Sequence, residues 1–322
     1  MHYPADMSRW QGRIDAADGP LGQRWHQIMQ PLESTDTAKV ALIGFASDAG
    51  VARNHGRTGA REGPAAIRAM LGNMPVRRCA AIADAGDVVC TANSHGDGLE
   101  TAQQELSAAL AGLLERGMLP ITLGGGHEMA FGSFGGLARF LAAQQPGIAP
   151  RIGIVNLDAH FDLRMAPQAS SGTPFRQIAE DCAQRGWPFH YCCLGISSFG
   201  NTEALFDRAR QLGVRWRLDE EMDLMQREAT LASVREFMTE VDHVYFTICL
   251  DVLPAPVAPG VSAPAARGVA LEVVEPILDL VAASGKLRLA DIAELNPAHD
   301  IDGRTARVAA RLVARLVEHA SA

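Results

Sequence analysis

The 322-residue chain contains no apolar run approaching the roughly 18 consecutive residues that a membrane-spanning helix requires. Its start, Met1 to Trp10, lacks the basic-then-apolar order of a secretory signal, so a cytoplasmic location is expected. Basic charge is not in excess: charged residues make up 20% of the chain and the net charge is −8. That balance argues against nucleic acid or an anionic membrane surface as the main partner. The six cysteines (79, 90, 182, 192, 193 and 249) form no C-x-x-C pair and no framework spacing. They read as buried free thiols of a reducing compartment, with the adjacent Cys192 and Cys193 on opposite faces of a strand. No linker, charge block, low-complexity tract or repeat divides the chain. We therefore expect a single catalytic domain over 39–322, with residues 1–38, irregular in pattern, packed on it as an N-terminal extension.

What is present is a large apolar fraction, 48%, arranged in an alternating pattern. Short β-prone runs at 40–45, 118–123, 152–157, 191–196, 243–250 and 287–295 are separated by stretches of helical spacing. The latter lie at 98–116, 130–143, 202–212, 231–241, 271–283 and 304–320. This order predicts crossover units and a mainly parallel sheet in an α/β fold. The strand runs are continuously apolar, as expected of strands covered on both faces.

In such sheets ligands bind beyond the carboxyl ends of the strands, so the residues following each run carry the functional information. Four of these places stand out. In Asp158-Ala159-His160-Phe161-Asp162, alternate residues of extended chain share a face, so two carboxylates and an imidazole can converge. Neighbouring carboxylates repel unless a cation lies between them. These are metal-ligand types, although a polar loop with an aspartate cap has the same composition. Gly124-Gly125-Gly126-His127-Glu128 lacks both the G-K-[ST] ending and the G-x-G-x-x-G spacing of phosphate loops. Its glycines permit a sharp turn that leaves His127 at the mouth of the sheet. Thr247-Ile248-Cys249-Leu250-Asp251 puts Cys249 and Asp251 on one face at a strand end, before a proline-rich segment that forms a stiff loop. The fourth place is Glu294-Leu295-Asn296-Pro297.

Together, G-G-G-H-E, D-A-H-F-D, C-L-D before V-A-P-G-V-S-A-P, and A-E-L-N-P resemble, in order, the motifs of the ureohydrolase family. The resemblance runs from about Ala41 to the C-terminus. It implies a three-layer α/β/α domain with a mainly parallel eight-stranded sheet and a pair of Mn²⁺ ions at the strand ends. His127, Asp158 and Asp162 match ligands of one ion, His160 and Asp251 match ligands of the other, and Asp158 spans both. Cys249 stands where the family has a second spanning aspartate, which makes it an expected but altered ligand position. An oxygen-rich set independently favours a hard ion over structural zinc. Homo-oligomers are common in the family, and a small-molecule substrate is implied.

The activity implied is metal-assisted hydrolysis of a linear amidine-type C–N bond. Glu294 matches the glutamate that pairs with the planar cationic group, and Asp251 is assigned delivery of the proton to the departing amine. Where arginases carry a histidine proton shuttle, fifteen residues beyond the position of His160, this chain has Phe175. Arg164 replaces an uncharged amide and suits a carboxylate. With the segments Trp10-Gln11-Gly12-Arg13-Ile14-Asp15 and Ser262-Ala263-Pro264-Ala265-Ala266-Arg267-Gly268, these features favour the branch that converts N-formimidoyl-L-glutamate to L-glutamate and formamide. Arg164, Ser171, Thr173 and Arg57 are the expected substrate contacts. Two alternatives stay open at this stage: a guanidino hydrolase of agmatinase or guanidino-acid type, and a metal-poor, non-catalytic relative marked by Cys249.

Overall fold

A computed structural model describes residues 1–77, 81–92, 94 and 96–320. Its strands are β1 (His2–Tyr3), β2 (Met29–Pro31), β3 (Val40–Ala46), β4 (Ile82–Val89), β5 (Leu119–Gly124), β6 (Ile152–Leu157), β7 (His190–Ile196), β8 (Arg215–Leu218), β9 (His243–Cys249) and β10 (Leu287–Ala293). The α-helices are α1 (Trp25–Ile28), α2 (Ala49–Arg53), α3 (Gly63–Gly72), α4 (Leu99–Glu115), α5 (Met129–Gln144), α6 (Pro174–Arg185), α7 (Glu203–Gln211), α8 (Arg227–Thr239), α9 (Leu271–Ala282) and α10 (Arg304–Ala320).

All ten strands join one sheet in the order β1-β4-β3-β5-β10-β9-β6-β7-β8, with β2 also on β4. The run from β4 to β8 contains the eight parallel strands expected. The sheet is nevertheless ten-stranded, because the N-terminal residues add β1, antiparallel to β4, and β2, parallel to it. Alternate residues of β3 enter different cores: Val40 and Leu42 pack with α3, α8, α9 and α10, whereas Ala41, Ile43 and Phe45 pack with α4, α5, α6 and α7. This is the three-layer arrangement, and it explains the continuously apolar strands.

The apolar pattern did not announce β4 or β8. The first carries Asp84 and Asp87 around Gly86, and their charges are absorbed by Arg68 of α3. The second is a four-residue edge strand that alternates arginine with apolar residues. Among the described residues every cysteine is a buried free thiol, while Cys79 lies outside them. No helix among the described residues is long and apolar enough to cross a membrane.

Candidate metal centre and substrate cleft

The loops that follow the carboxyl ends of the central strands enclose a cleft of about 330 Å³. Its floor and walls include His127, His160, Asp162, Cys249, Asp251 and Glu294, with Arg57, Arg164 and Ser171 also on the lining. Asp158 sits directly beneath, fully buried.

The glycines after β5 are required by close approach. A Cβ on Gly125 would lie 2.4 Å from the Phe45 carbonyl oxygen, and one on Gly126 would lie 2.0 Å from Glu128 Oε2. The backbone can therefore pass between β3 and β10 and set His127 over the floor. Glu294 and Asp162 hold left-handed backbone conformations, φ +71° and +49°, which side chains other than glycine rarely adopt. Glu294 is held there by its N–H, which donates to the Gly125 carbonyl at 2.8 Å, and by its Oε1, which accepts the His127 N–H at 2.9 Å.

Two groups of potential ligands share Asp158: His127, Asp158 and Cys249, and Asp158, His160 and Asp251. His127 Nδ1 lies 3.0 Å from Asp158 Oδ2 and 3.2 Å from Asp162 Oδ2, while His160 Nδ1 lies 3.1 Å from Asp251 Oδ2. Ligand atoms at adjacent corners of an octahedral ion, about 2.1 Å from it, stand about 3 Å apart, so this spacing fits a hard divalent ion. His127 Nδ1 is fully buried, yet despite those short distances it has no well-directed hydrogen bond. That is the disposition of a ligand atom.

The electrostatics agree. Burial alone would lower the His127 and His160 pKa values, but the carboxylates of Asp158 and Asp162 beside the first, and of Asp251 and Asp158 beside the second, hold both well above the ordinary range. Burial opposes the charge on Asp158, yet the two imidazoles hold its pKa below the usual carboxylate value. Asp162 is pushed up to about 6 by burial and by Asp158, and Glu294 up to about 8 by burial and by Glu128. Burial, then Asp251, Asp158 and Glu294, push the Cys249 thiol well up. Acids crowded in this way are relieved by a cation among them.

Several supporting contacts were not foreseen. Asn156 donates to Asp158 Oδ2 at 3.1 Å, Thr247 Oγ1 pairs with His127 Nε2 at 3.0 Å, and the Asn201 amide ties the Phe161 N–H and Ala159 carbonyl, fixing the loop that carries His160. For two of them the available signal was a polar residue between apolar neighbours, Asn156 within β6 and Thr247 within β9.

The expected substrate contacts separate into three kinds. Arg164 is exposed on the rim, its stem lying across Gly172, and among the described residues its guanidinium has no partner. Ser171 lines the cleft and its hydroxyl accepts from Asn54 at 3.3 Å. Arg57 lines the cleft too, but its guanidinium donates to the Val261 and Ser262 carbonyls, so it holds the proline-rich loop rather than standing free for an anion. Thr173 does not reach the cleft: it is fully buried, and its hydroxyl is engaged with Ser170 and Gln177 at the start of α6. Phe175 is also buried, stacked on Tyr191 at 4.5 Å and edge-on to His127 at 5.3 Å. It braces the histidine and offers no proton relay.

A two-centre acidic cluster at the strand ends of this sheet defines a class, and residues 38–318 match the Arginase family: the chain belongs to it. Among its relatives is the formimidoylglutamase of Ralstonia nicotianae, 67% identical, with 99% of this chain and 97% of that protein covered. The formimidoylglutamase of Aromatoleum aromaticum is 53% identical over 97% of this chain and 92% of its own length. The solved structure of Trypanosoma cruzi formiminoglutamase with Mn²⁺ superposes with a TM-score of 0.75 at 26% identity, covering 88% of this chain and 94% of that one.

Proposed function

We propose that this protein hydrolyses N-formimidoyl-L-glutamate to L-glutamate and formamide, a step of histidine degradation, with Mn²⁺ held as a pair by His127, Asp158, His160, Asp162 and Asp251. The observation that carries this reading is the polarity of one cleft: an acidic floor that includes Glu294, and a rim bearing the free guanidinium of Arg164. The substrate has the opposite polarity, with a cationic formimidoyl group at one end and carboxylates at the other. The curated relatives named formimidoylglutamase support the same assignment. Homo-oligomers, common in the family, and a cytoplasmic location complete the reading.

Bound divalent ions supply an activated water and polarise the bond under attack. The chain's own residues do the rest. Glu294 Oε2 is buried without a partner, leaving a carboxylate oxygen for the planar cationic nitrogens. Arg164 orients a substrate carboxylate. Asp251, on the cleft wall and 3.1 Å from His160, is placed to pass a proton to the leaving amine. The deciding assay offers N-formimidoyl-L-glutamate, arginine and agmatine to the Mn²⁺-supplemented protein. Formamide release should dominate, and faster urea release from either guanidino compound would reject the assignment.

Arg164→Ala should raise KM by about 10- to 150-fold with bound metal unchanged, the loss of a charge-assisted hydrogen bond worth about 1.5–3 kcal/mol. A KM at the wild-type value would make Arg164 an ordinary surface charge.

Cys249 brings one soft sulfur to a place where a carboxylate would bring two hard oxygens, so the Mn²⁺ pair should be held weakly. Cys249→Asp is expected to increase Mn²⁺ retained after dialysis toward two per chain and to raise turnover. Two tightly retained ions in the unaltered protein would contradict this.

A further inference from the structure

His55, on the cleft wall, occupies a backbone conformation that its own chemistry opposes. Helix α2 ends in a Schellman turn, in which the His55 N–H donates to the Ala52 carbonyl at 3.0 Å and the Gly56 N–H to the Val51 carbonyl at 2.9 Å. The residue at the position of His55 in this turn must be left-handed, and glycine, which has no Cβ to clash, is its usual occupant. His55 instead holds φ +58°. It is one of four residues other than glycine with positive φ among those described, and it shares the cleft lining with two of them, Asp162 and Glu294. Packing gives no reason for a histidine. The residue is exposed, and among the described residues its ring has no hydrogen bond, ion pair or ring contact.

A strained residue persists only where its surroundings hold it. Arg53, the last residue of α2, donates to Asp97, to Glu100 and to the Ala169 carbonyl. Asn54 donates to Ser171, and the Arg57 N–H donates to Ser262 Oγ at 3.0 Å. His55 therefore stands on a turn tied on both sides to loops that line the cleft. The same ties bring it toward Arg164. A Cβ on Gly172 would lie 2.8 Å from Arg164 Cδ and 3.2 Å from Asn54 Nδ2, so the stem of Arg164 and the residue before His55 meet over one glycine. Other nitrogen-bearing side chains of the lining are already engaged: Arg57 and Asn201 with backbone carbonyls, Asn54 with Ser171, and the two cluster histidines with carboxylates. His55 and Arg164 are left facing the cleft without a partner among the described residues.

We propose that His55 binds the substrate carboxylate that Arg164 does not hold. This rests on the reading of the cleft as a site for N-formimidoyl-L-glutamate, whose two carboxylates outnumber the one free guanidinium on the rim. An imidazole offers an N–H to a carboxylate oxygen in either neutral tautomer and in its charged form. The left-handed turn costs folding free energy that glycine would not, and the cost is offset in function, because the turn presents a donor that glycine lacks. His55 and Arg164 then discriminate for a dicarboxylate, while Glu294 faces the cationic end.

The test measures KM and kcat for N-formimidoyl-L-glutamate, inhibition by L-glutamate, and thermal melting in the full chain with Mn²⁺ supplied. His55→Gly suits the turn, so its melting temperature should equal or exceed that of the wild type. Its KM should nevertheless rise about 10-fold, the loss of a hydrogen bond to a charged group, with kcat within a few-fold of wild type. The inhibition constant of L-glutamate, which keeps both carboxylates, should rise in parallel. His55→Asp also tolerates the turn but sets like charge against the substrate, and should raise KM further than glycine does. In Arg164→Ala/His55→Gly the two KM increases should multiply, because each residue holds a different carboxylate. A wild-type KM in His55→Gly, a fall in kcat without a rise in KM, or a double variant no worse than Arg164→Ala would overturn the proposal and leave the substrate assignment standing. A wild-type protein that releases no formamide from N-formimidoyl-L-glutamate would overturn both.

Discussion

Asp158→Asn should strip the protein of bound divalent ions and lower kcat/KM by at least about 10³-fold, the largest functional loss expected from any single substitution here. Asp158 is common to both ligand groups, whereas each of the other ligands belongs to one side. Its Oδ2 lies 3.0 Å from His127 Nδ1 and accepts from Asn156, while its Oδ1 accepts the His160 N–H at 2.7 Å. Asparagine keeps the size but removes the negative charge and one of the two acceptor oxygens. It also turns an amide toward an imidazole nitrogen that must remain bare. Metal analysis of both proteins equilibrated with excess Mn²⁺, with circular dichroism to confirm folding, separates this outcome from simple misfolding. An Asp158→Asn protein that retains two Mn²⁺ and near-normal turnover would remove Asp158 from the centre of the site.

The residues that converge at the cleft were legible because they follow apolar runs directly. In a parallel sheet the end of a strand is also the edge of the ligand crevice, so sequence position there carries spatial meaning. His127, Asp158, His160, Asp162, Cys249, Asp251 and Glu294 were all found in this way, with the family resemblance sorting all but Glu294 into two ion sites and assigning Glu294 to the substrate. Side-chain direction within loops has no such rule. Arg57 turns back to the Val261 and Ser262 carbonyls and Thr173 turns inward to Ser170 and Gln177. Sequence distinguished neither from Arg164, which points free. A row of buried polar residues across the middle of the sheet was hidden for a different reason. Thr122, Asp291, Thr247 and Asn156 each lie between apolar neighbours in their strands, and only the register between strands places them side by side. The unrecognised strand β4 shows the same limit, since Asp84 and Asp87 interrupt its apolar pattern and their partner, Arg68, lies on α3.

That partner carries the largest expected loss of stability. Arg68 is 2% exposed and Asp84 is 1% exposed. Arg68 Nε and Nη2 donate to the two Asp84 oxygens, each at 2.9 Å, Nη1 donates to Asp87 at 2.6 Å, and Nη2 also reaches the Gly86 carbonyl. The Asp84 and Asp87 carboxylates, beside the guanidinium, outweigh its burial and raise its pKa, so Arg68 stays charged. Trp10 adds an indole N–H to Asp84 Oδ2 at 2.7 Å, which ties the N-terminal residues to the same centre. Arg68→Met would fill a similar volume but leave Asp84 with only the Trp10 and Gly86 N–H groups, a buried carboxylate without its countercharge. Removing one partner of a buried pair typically costs about 3–5 kcal/mol, against a total stability of about 5–15 kcal/mol. For a chain of this size the melting temperature should fall by on the order of 10 °C. The double variant Arg68→Met/Asp84→Asn should recover part of that loss, because it leaves no unpaired charge at this position. None of these residues lines the cleft, so the folded fraction of Arg68→Met should keep its metal content and its kcat/KM. Urea unfolding of the three proteins decides the matter. A loss below about 1 kcal/mol in Arg68→Met would mean that water or a neighbouring group already neutralises Asp84, and that the buried pair does not hold this edge of the sheet.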